Sequence, residues 1–369
     1  MAWFWLLPLA LLAAILLAPS LVRGSAWVRA GKRRLFPHRT GEGQMHATLV
    51  SPLPVYVRLE REGSGALGLL PGGVWALAFG RWGWAEALAY TPRRRGEHPL
   101  PGVRAFARDL LGLREVEVRL SLEQDRVLAY PEAFGLLSPD LRLTLLADGP
   151  EAAGGLEDPS RFAGVRPYSP GDPLSRFHWK ATAHHGQPMV REFARVRSSG
   201  VWLHLDLEAT GKPGEIYLEH AAALAASLLI AAEEANLAVG LSVGAERVGL
   251  GRGGEHLARI LEGLARARLE RPAHPVPIPP PGVNLLLLTQ EASSAVIEGA
   301  LRARARASRV HLIALPEGFY LRPGERGRPV FGKTEGVLRL LKKRHLLEAE
   351  GVRVHILRGN QSILRIAEG

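Results

Sequence analysis

Apolar and polar positions along this chain follow three regimes in succession. Residues 1–22 carry no charge, and the run AWFWLLPLALLAAILLAPSLV that follows the first Met is long enough for one bilayer span, because about 20 apolar residues cross the hydrocarbon core as a helix. Trp3 and Trp5 stand where interfacial aromatics are found. From Gln44 to about Pro131 the runs are short and β-like, as at Val55–Leu59, Leu88–Tyr90 and Glu115–Leu120, with turn signals at Pro52, Pro71-Gly72, Arg95-Gly96 and Pro101-Gly102. That spacing predicts a small β-sandwich. From Val201 onward, continuous apolar strands (Val201–Asp206, Leu237–Val243, Val283–Thr289, Val310–Leu315, Val352–Leu357) alternate with helical stretches. Parallel strands buried on both faces read this way, so the third regime predicts an α/β domain with a mostly parallel, Rossmann-like sheet. Its functional loops would lie at the carboxyl ends of the strands.

Charge sharpens the first regime. Arg23, Arg29, Lys32, Arg33, Arg34 and Arg39 follow the apolar run with no acid among them. A cleaved signal peptide carries its basic residues before the apolar stretch, not after it. The positive-inside rule therefore predicts a single-pass anchor over 1–22 in the cell (inner) membrane, held by membrane lipid, with the C-terminal body cytoplasmic. Residues 23–43 read as a basic juxtamembrane linker. A second basic segment covers 161–197, and outside these two the acidic and basic residues balance, so the net charge of +11 is local. The basic segments lack interleaved stacking aromatics on a recognisable nucleic-acid-binding pattern, and no nucleic-acid partner is predicted.

Candidate chemistry is sparse. The absence of cysteine excludes disulfides, thiolate metal sites and a cysteine nucleophile. Neither a Gly-x-Ser-x-Gly elbow nor a His-Glu-x-x-His helix occurs, and no catalytic residue is predicted. Gly327, Gly332, Lys333 and Thr334 match G-x-x-x-x-G-K-T, which gives the alternative of a P-loop-like nucleotide-binding protein. The segment before them, Tyr320–Arg326, is not a buried strand of the kind that delivers such a loop.

The junction between the second and third regimes carries the most specific pattern. Gly164, Arg166, Tyr168, Gly171, Asp172, Arg176, Trp179 and Lys180, followed by Ala181-Thr182-Ala183, form one extended motif. Pro170-Gly171 makes a turn, and Asp172-Pro173 is an N-cap and first-turn pair for a short helix. Arg166, Asp172 and Arg176 are expected to pair internally, and Tyr168 and Trp179 to pack where two domains join, with a partner-docking face as the other reading.

This motif resembles the signature of the bacterial domain-of-unknown-function 58 family, and the resemblance extends upstream to Tyr90, Arg95-Gly96, Asp109, Gly112-Leu113 and Tyr130-Pro131. It implies an N-terminal membrane segment, a β-domain and a C-terminal von Willebrand factor A-like domain, working with a MoxR-type AAA+ ATPase and catalysing no established reaction. Members usually begin with two membrane helices; this chain offers one. The expected organisation is an anchor (1–22), a linker (23–43), a β-sandwich-like domain (44–135), the signature segment (136–200) and a von Willebrand factor A-like domain (201–369). A von Willebrand factor A-like domain also implies a Mg²⁺ site, for which Asp206, Glu208, Thr210 and Thr289 are the candidate oxygen ligands, in a degenerate form of the usual motif. The function expected from these readings is a membrane-anchored, non-enzymatic adaptor or scaffold in protein assembly or maturation.

Overall fold

The computed structural model describes residues 3–135, 157–170, 172, 176–195, 200–209, 211–270, 274–322, 325–327 and 335–363. The chain divides into two compact units, Met1–Glu132 and Ala133–Gly369.

The first unit begins with helix α1 (Trp3–Leu17), which runs through the 3₁₀ turn Ala18–Leu21 directly into strand β1 (Arg23–Ala30). Strands β2 (Arg34–Leu35), β3 (Gly41–Arg61), β4 (Gly72–Tyr90), β5 (Gly96–Pro99), β6 (Val103–Arg108), β7 (Glu115–Val118), β8 (Leu120–Gln124) and β9 (Arg126–Ala129) follow. A six-stranded sheet has the order β7-β6-β3-β1-β8, with β4 also on β3; β2, β9 and β5 form a smaller sheet. The long hairpin β3–β4 organises this unit. Pro52 and Pro54 supply no N–H, and the β3–β4 register shifts between Ser51 and Val55. On the other edge of β3, β1 pairs up to Val50 and β6 takes over from Tyr56. Met45, Ala47 and Leu49 before the break, and Val55, Val57 and Leu59 after it, alternate into one core.

The second unit contains a two-stranded ribbon of β10 (Glu157–Pro167) and β11 (Met189–Arg195), with helix α2 (Trp179–His185) between them in sequence. Its main sheet is built from β12 (Gly200–Leu205), β13 (Ala238–Val243), β14 (Glu246–Gly251), β15 (Val283–Thr289), β16 (Arg309–Ala314) and β17 (Val352–Ile356) in the order β14-β13-β12-β15-β16-β17. All pairings are parallel except β13–β14. Helices α3 (Gly211–Glu234), α4 (Gly254–Arg266), α5 (Ser294–Arg304) and α6 (Glu335–Ala349) complete the described elements.

These observations correct the expected class. The chain is not an α/β, von Willebrand factor A-like protein with a small β-sandwich in front. Among the described residues it is mostly β-strand, with seventeen strands against six α-helices, and helix–strand alternation is confined to one of four sheets. Where short sandwich strands were expected, β3 and β4 run 21 and 19 residues. The expected linker 23–43 is also corrected: β1 pairs with both β3 and β8 inside the main sheet. Its small and aromatic residues, Gly-Ser-Ala-Trp-Val between arginines, hide a strand whose Ala26 and Val28 are buried.

The centre of the parallel sheet tolerates no added bulk at its start. A Cβ on Gly200 would lie 2.3 Å from the Ala238 carbonyl oxygen of the neighbouring strand. Gly200→Ala is expected to cost about 1–3 kcal/mol by forcing β12 and β13 apart, a loss that urea denaturation would register.

Candidate functional site

The signature residues assemble into a small module on the β10–β11 ribbon. Gly164 and Arg166 lie on β10, opposite Glu192 and Val190 of β11. The Arg166 guanidinium grips the Asp172 carboxylate with two parallel bonds, Nη1 to Oδ2 at 2.8 Å and Nη2 to Oδ1 at 2.6 Å. Fork-to-fork pairs of this kind fix orientation as well as adding energy. The same carboxylate accepts the Ser169 N–H at 2.9 Å, while the Asp172 N–H donates to the Ser169 carbonyl at 3.0 Å, closing the turn from both sides. Arg166 first, then the Ser169 N–H, hold the Asp172 carboxyl below the usual carboxylate range, and the charge of Arg176 adds to the effect.

Helix α2 is short and tied down by its neighbours. The His178 side chain caps it, Nδ1 accepting the Ala181 N–H at 3.0 Å. The Thr182 hydroxyl accepts the Met189 N–H at 2.9 Å and so locks the helix to β11. Gly186, at φ 67°, provides the left-handed residue that ends it. On this frame Tyr168, Phe177 and Trp179 stand in succession, their ring centroids 5.4 and 5.2 Å apart. Trp179 is 73% exposed and Tyr168 36%, with exposed Lys180 beside them. The Trp179 ring thus presents most of its surface to solvent. Gly171 lies outside the described residues.

A second cluster sits at the carboxyl ends of the two central strands, β12 and β15, where the sheet's connections diverge to either side; in parallel sheets that point is a common ligand position. Asp206 is almost fully buried. Its Oδ2 accepts the Thr289 hydroxyl at 2.7 Å and its Oδ1 the Glu208 N–H at 3.0 Å. The Tyr217 hydroxyl, also buried, lies within bonding range of the Asp206 and Leu288 carbonyls at 2.8 and 3.1 Å. Burial pushes the Asp206 carboxyl up, and the Glu208 and Thr289 bonds only partly oppose it. Both Asp206 oxygens accept hydrogen bonds from the protein, and no group of three or more His, Asp or Glu side chains converges among the described residues. Thr210 lies outside the described residues. The cluster stitches two strand ends together, a role played by Tyr217 that strand patterning could not reveal.

Of the P-loop-like residues, only Gly327 is described; Gly332, Lys333 and Thr334 lie outside. Between β16 and Gly327 the described residues form no strand beyond a single bridge from Leu321 to Ser362. Buried histidines also escaped the sequence reading. His204 Nδ1 lies 2.8 Å from Ser242 Oγ, and His311 Nδ1 lies 3.1 Å from His355 Nε2. His204, Ser242 and His311 are enclosed in the sheet.

Residues 164–279 match a family model described as protein of unknown function DUF58. The uncharacterized protein YeaD of Bacillus subtilis (strain 168) is 29% identical over 188 residues, covering 50% of this chain and 45% of that protein. The match thus spans less than half of that relative's length. Among solved structures, the CARDB domain of the PF1109 protein from Pyrococcus furiosus aligns with 30% of this chain and 89% of its own, at 13% identity and a TM-score of 0.21. A non-cellulosomal cohesin from Archaeoglobus fulgidus aligns with 29% and 91%, at 10% identity and a TM-score of 0.20.

Proposed function

The chain belongs to the DUF58 family through residues 164–279, and from that membership we propose that it is a membrane-anchored, non-enzymatic adaptor whose signature module docks a MoxR-type AAA+ ATPase. The observation that carries this reading is the division of labour inside the module. The fork-to-fork pair of Arg166 with Asp172 is spent on holding the turn, while Trp179 is left 73% exposed on a helix capped by His178 and ended by Gly186. A catalytic site calls for the reverse arrangement, with polar groups converging on an enclosed volume. A rigid, solvent-facing Trp beside Tyr and Lys is instead the composition of a protein-binding anchor.

Membrane attachment is supported by α1 and the 3₁₀ turn after it, an apolar segment with Leu7 77% and Leu9 68% exposed. The basic residues that follow it favour a cytoplasmic body. The MoxR-type partner, and the setting of protein assembly or maturation, come from the family resemblance. Affinity capture of the full chain from detergent-solubilised source membranes, with ATP, ADP or no nucleotide, tests the proposal. The ATPase should be recovered in a nucleotide-dependent way; its absence in every nucleotide state rejects the partnership.

A further inference from the structure

We propose that the β-rich unit makes a second membrane contact of its own, resting on an anionic bilayer surface through an apolar rim beside the end of α1. The proposal rests on the reading of α1 as a membrane anchor and adds to it. The first component of the rim is the turn between β6 and β7. Asp109 is fully buried there, and its carboxylate accepts the N–H groups of Leu111 at 2.7 Å, Leu113 at 3.3 Å and Arg114. With the acid turned inward as the turn's internal brace, Leu110, Leu111 and Leu113 are turned outward, 40%, 54% and 73% exposed. Three leucines held in solvent by a built turn are costly unless something apolar covers them.

The second component is the outer face of the long hairpin. Trp75, Leu77 and Phe79 occupy alternate positions of β4 and so share one face, all more than half exposed. Tyr56, paired with Leu77 on one side and Arg108 on the other, extends that face toward the turn.

What selects a bilayer as the occupant is continuity with α1. No flexible linker separates helix from sheet: Ala18 and Val22 are part of the unit's core, and Arg114, in the leucine turn, donates to the Leu16 carbonyl at 3.4 Å. No charged residue precedes Arg23. A bilayer that covers the apolar run through Leu21 is therefore drawn to the leucine turn. Charge agrees with this placement. Arg23, Arg81, Arg108 and Arg114 are exposed around the rim and form no ion pair among the described residues. Arg23 and Arg81 flank the half-exposed Val50 across the sheet. Leucines and aromatics ringed by arginines are the composition of an interfacial contact with anionic lipid.

The cysteine-free chain makes the test direct. Leu111→Cys, Phe79→Cys and, as a control on the small sheet, Glu97→Cys are each labelled with an environment-sensitive fluorophore in the full-length protein. The proteins are reconstituted into phosphatidylcholine vesicles containing phosphatidylglycerol, and quenching by a lipid-phase quencher is read alongside flotation. The expected result is co-flotation, with blue-shifted emission and several-fold stronger quenching at Leu111 and Phe79 than at Glu97. Co-flotation with the Leu111 label no more quenched than the Glu97 label overturns the rim and leaves the anchor standing. Failure to float overturns the anchor and the rim together.

Discussion

Trp179→Ala is expected to weaken capture of the ATPase by about 30-fold, the effect of losing an interface anchor worth roughly 2 kcal/mol. The melting temperature should stay unchanged, because a side chain 73% exposed contributes little to folding. The two readouts separate docking from structure. Arg166→Ala is the contrasting case: it releases Asp172 and the Ser169 turn, so binding and local order fall together. Capture by Trp179→Ala at the parental level would show that the aromatic face is not the interface, whatever the ATPase does elsewhere on the chain.

Acidification is expected to unfold the second unit well before carboxylate protonation alone would. Burial first, then the nearby charges of Arg247 and His274, holds the His204 imidazole down to about 4; burial first, then Arg353 and Arg344, does the same for His355. An unfolded histidine titrates near 6.5. Between these values the unfolded chain binds protons that the folded chain refuses, so stability is complete above about pH 6.5 and falls as the pH drops toward 4. The gap corresponds to about 3 kcal/mol for each histidine. His311, pushed well down by burial and by its neighbour His355, acts in the same direction. Asp206 acts in the opposite one: burial raises its carboxyl, so it gains a proton more readily in the folded state and offsets part of the loss. Urea denaturation across this pH range should give a steep decline, and His204→Asn a distinctly shallower one. Identical slopes would mean that His204 does not drive the transition.

The sequence was most informative where burial is two-sided. Strands such as Val283–Thr289 are wholly buried and announce themselves as unbroken apolar runs. The hairpin β3–β4 was hidden for the converse reason. One of its faces is solvent-exposed, its buried positions include Ala47 and Ala78, and prolines interrupt it, so it read as short fragments. Domain class was misjudged from the legible half of the chain. At the signature, spacing identified the turn and the charged pair that meets there, Arg166 with Asp172, but not the cap: the described helix starts at Trp179 and is capped by His178, not Asp172. The environment of Trp179 was not legible, because average burial of aromatics says nothing of a residue that leans on one aromatic neighbour, Phe177, and is otherwise mostly exposed. The Tyr217 bridge between two strand ends was equally invisible, since the residue lies 11 positions from one carbonyl and 71 from the other.

The pairing of β1 with β8 sets a timetable for synthesis. Ala30 donates its N–H to Asp125, 95 residues later, and β8 lies parallel to β1, so no hairpin can bring them together early. At roughly 5–20 residues per second, β1 waits about 5–20 s for that partner after it leaves the ribosome. During that interval one edge of β1, directly attached to the uncharged apolar helix α1, is open to pairing with any other nascent strand. Early capture of α1 by the membrane would hold that edge apart from other chains until its own β8 arrives.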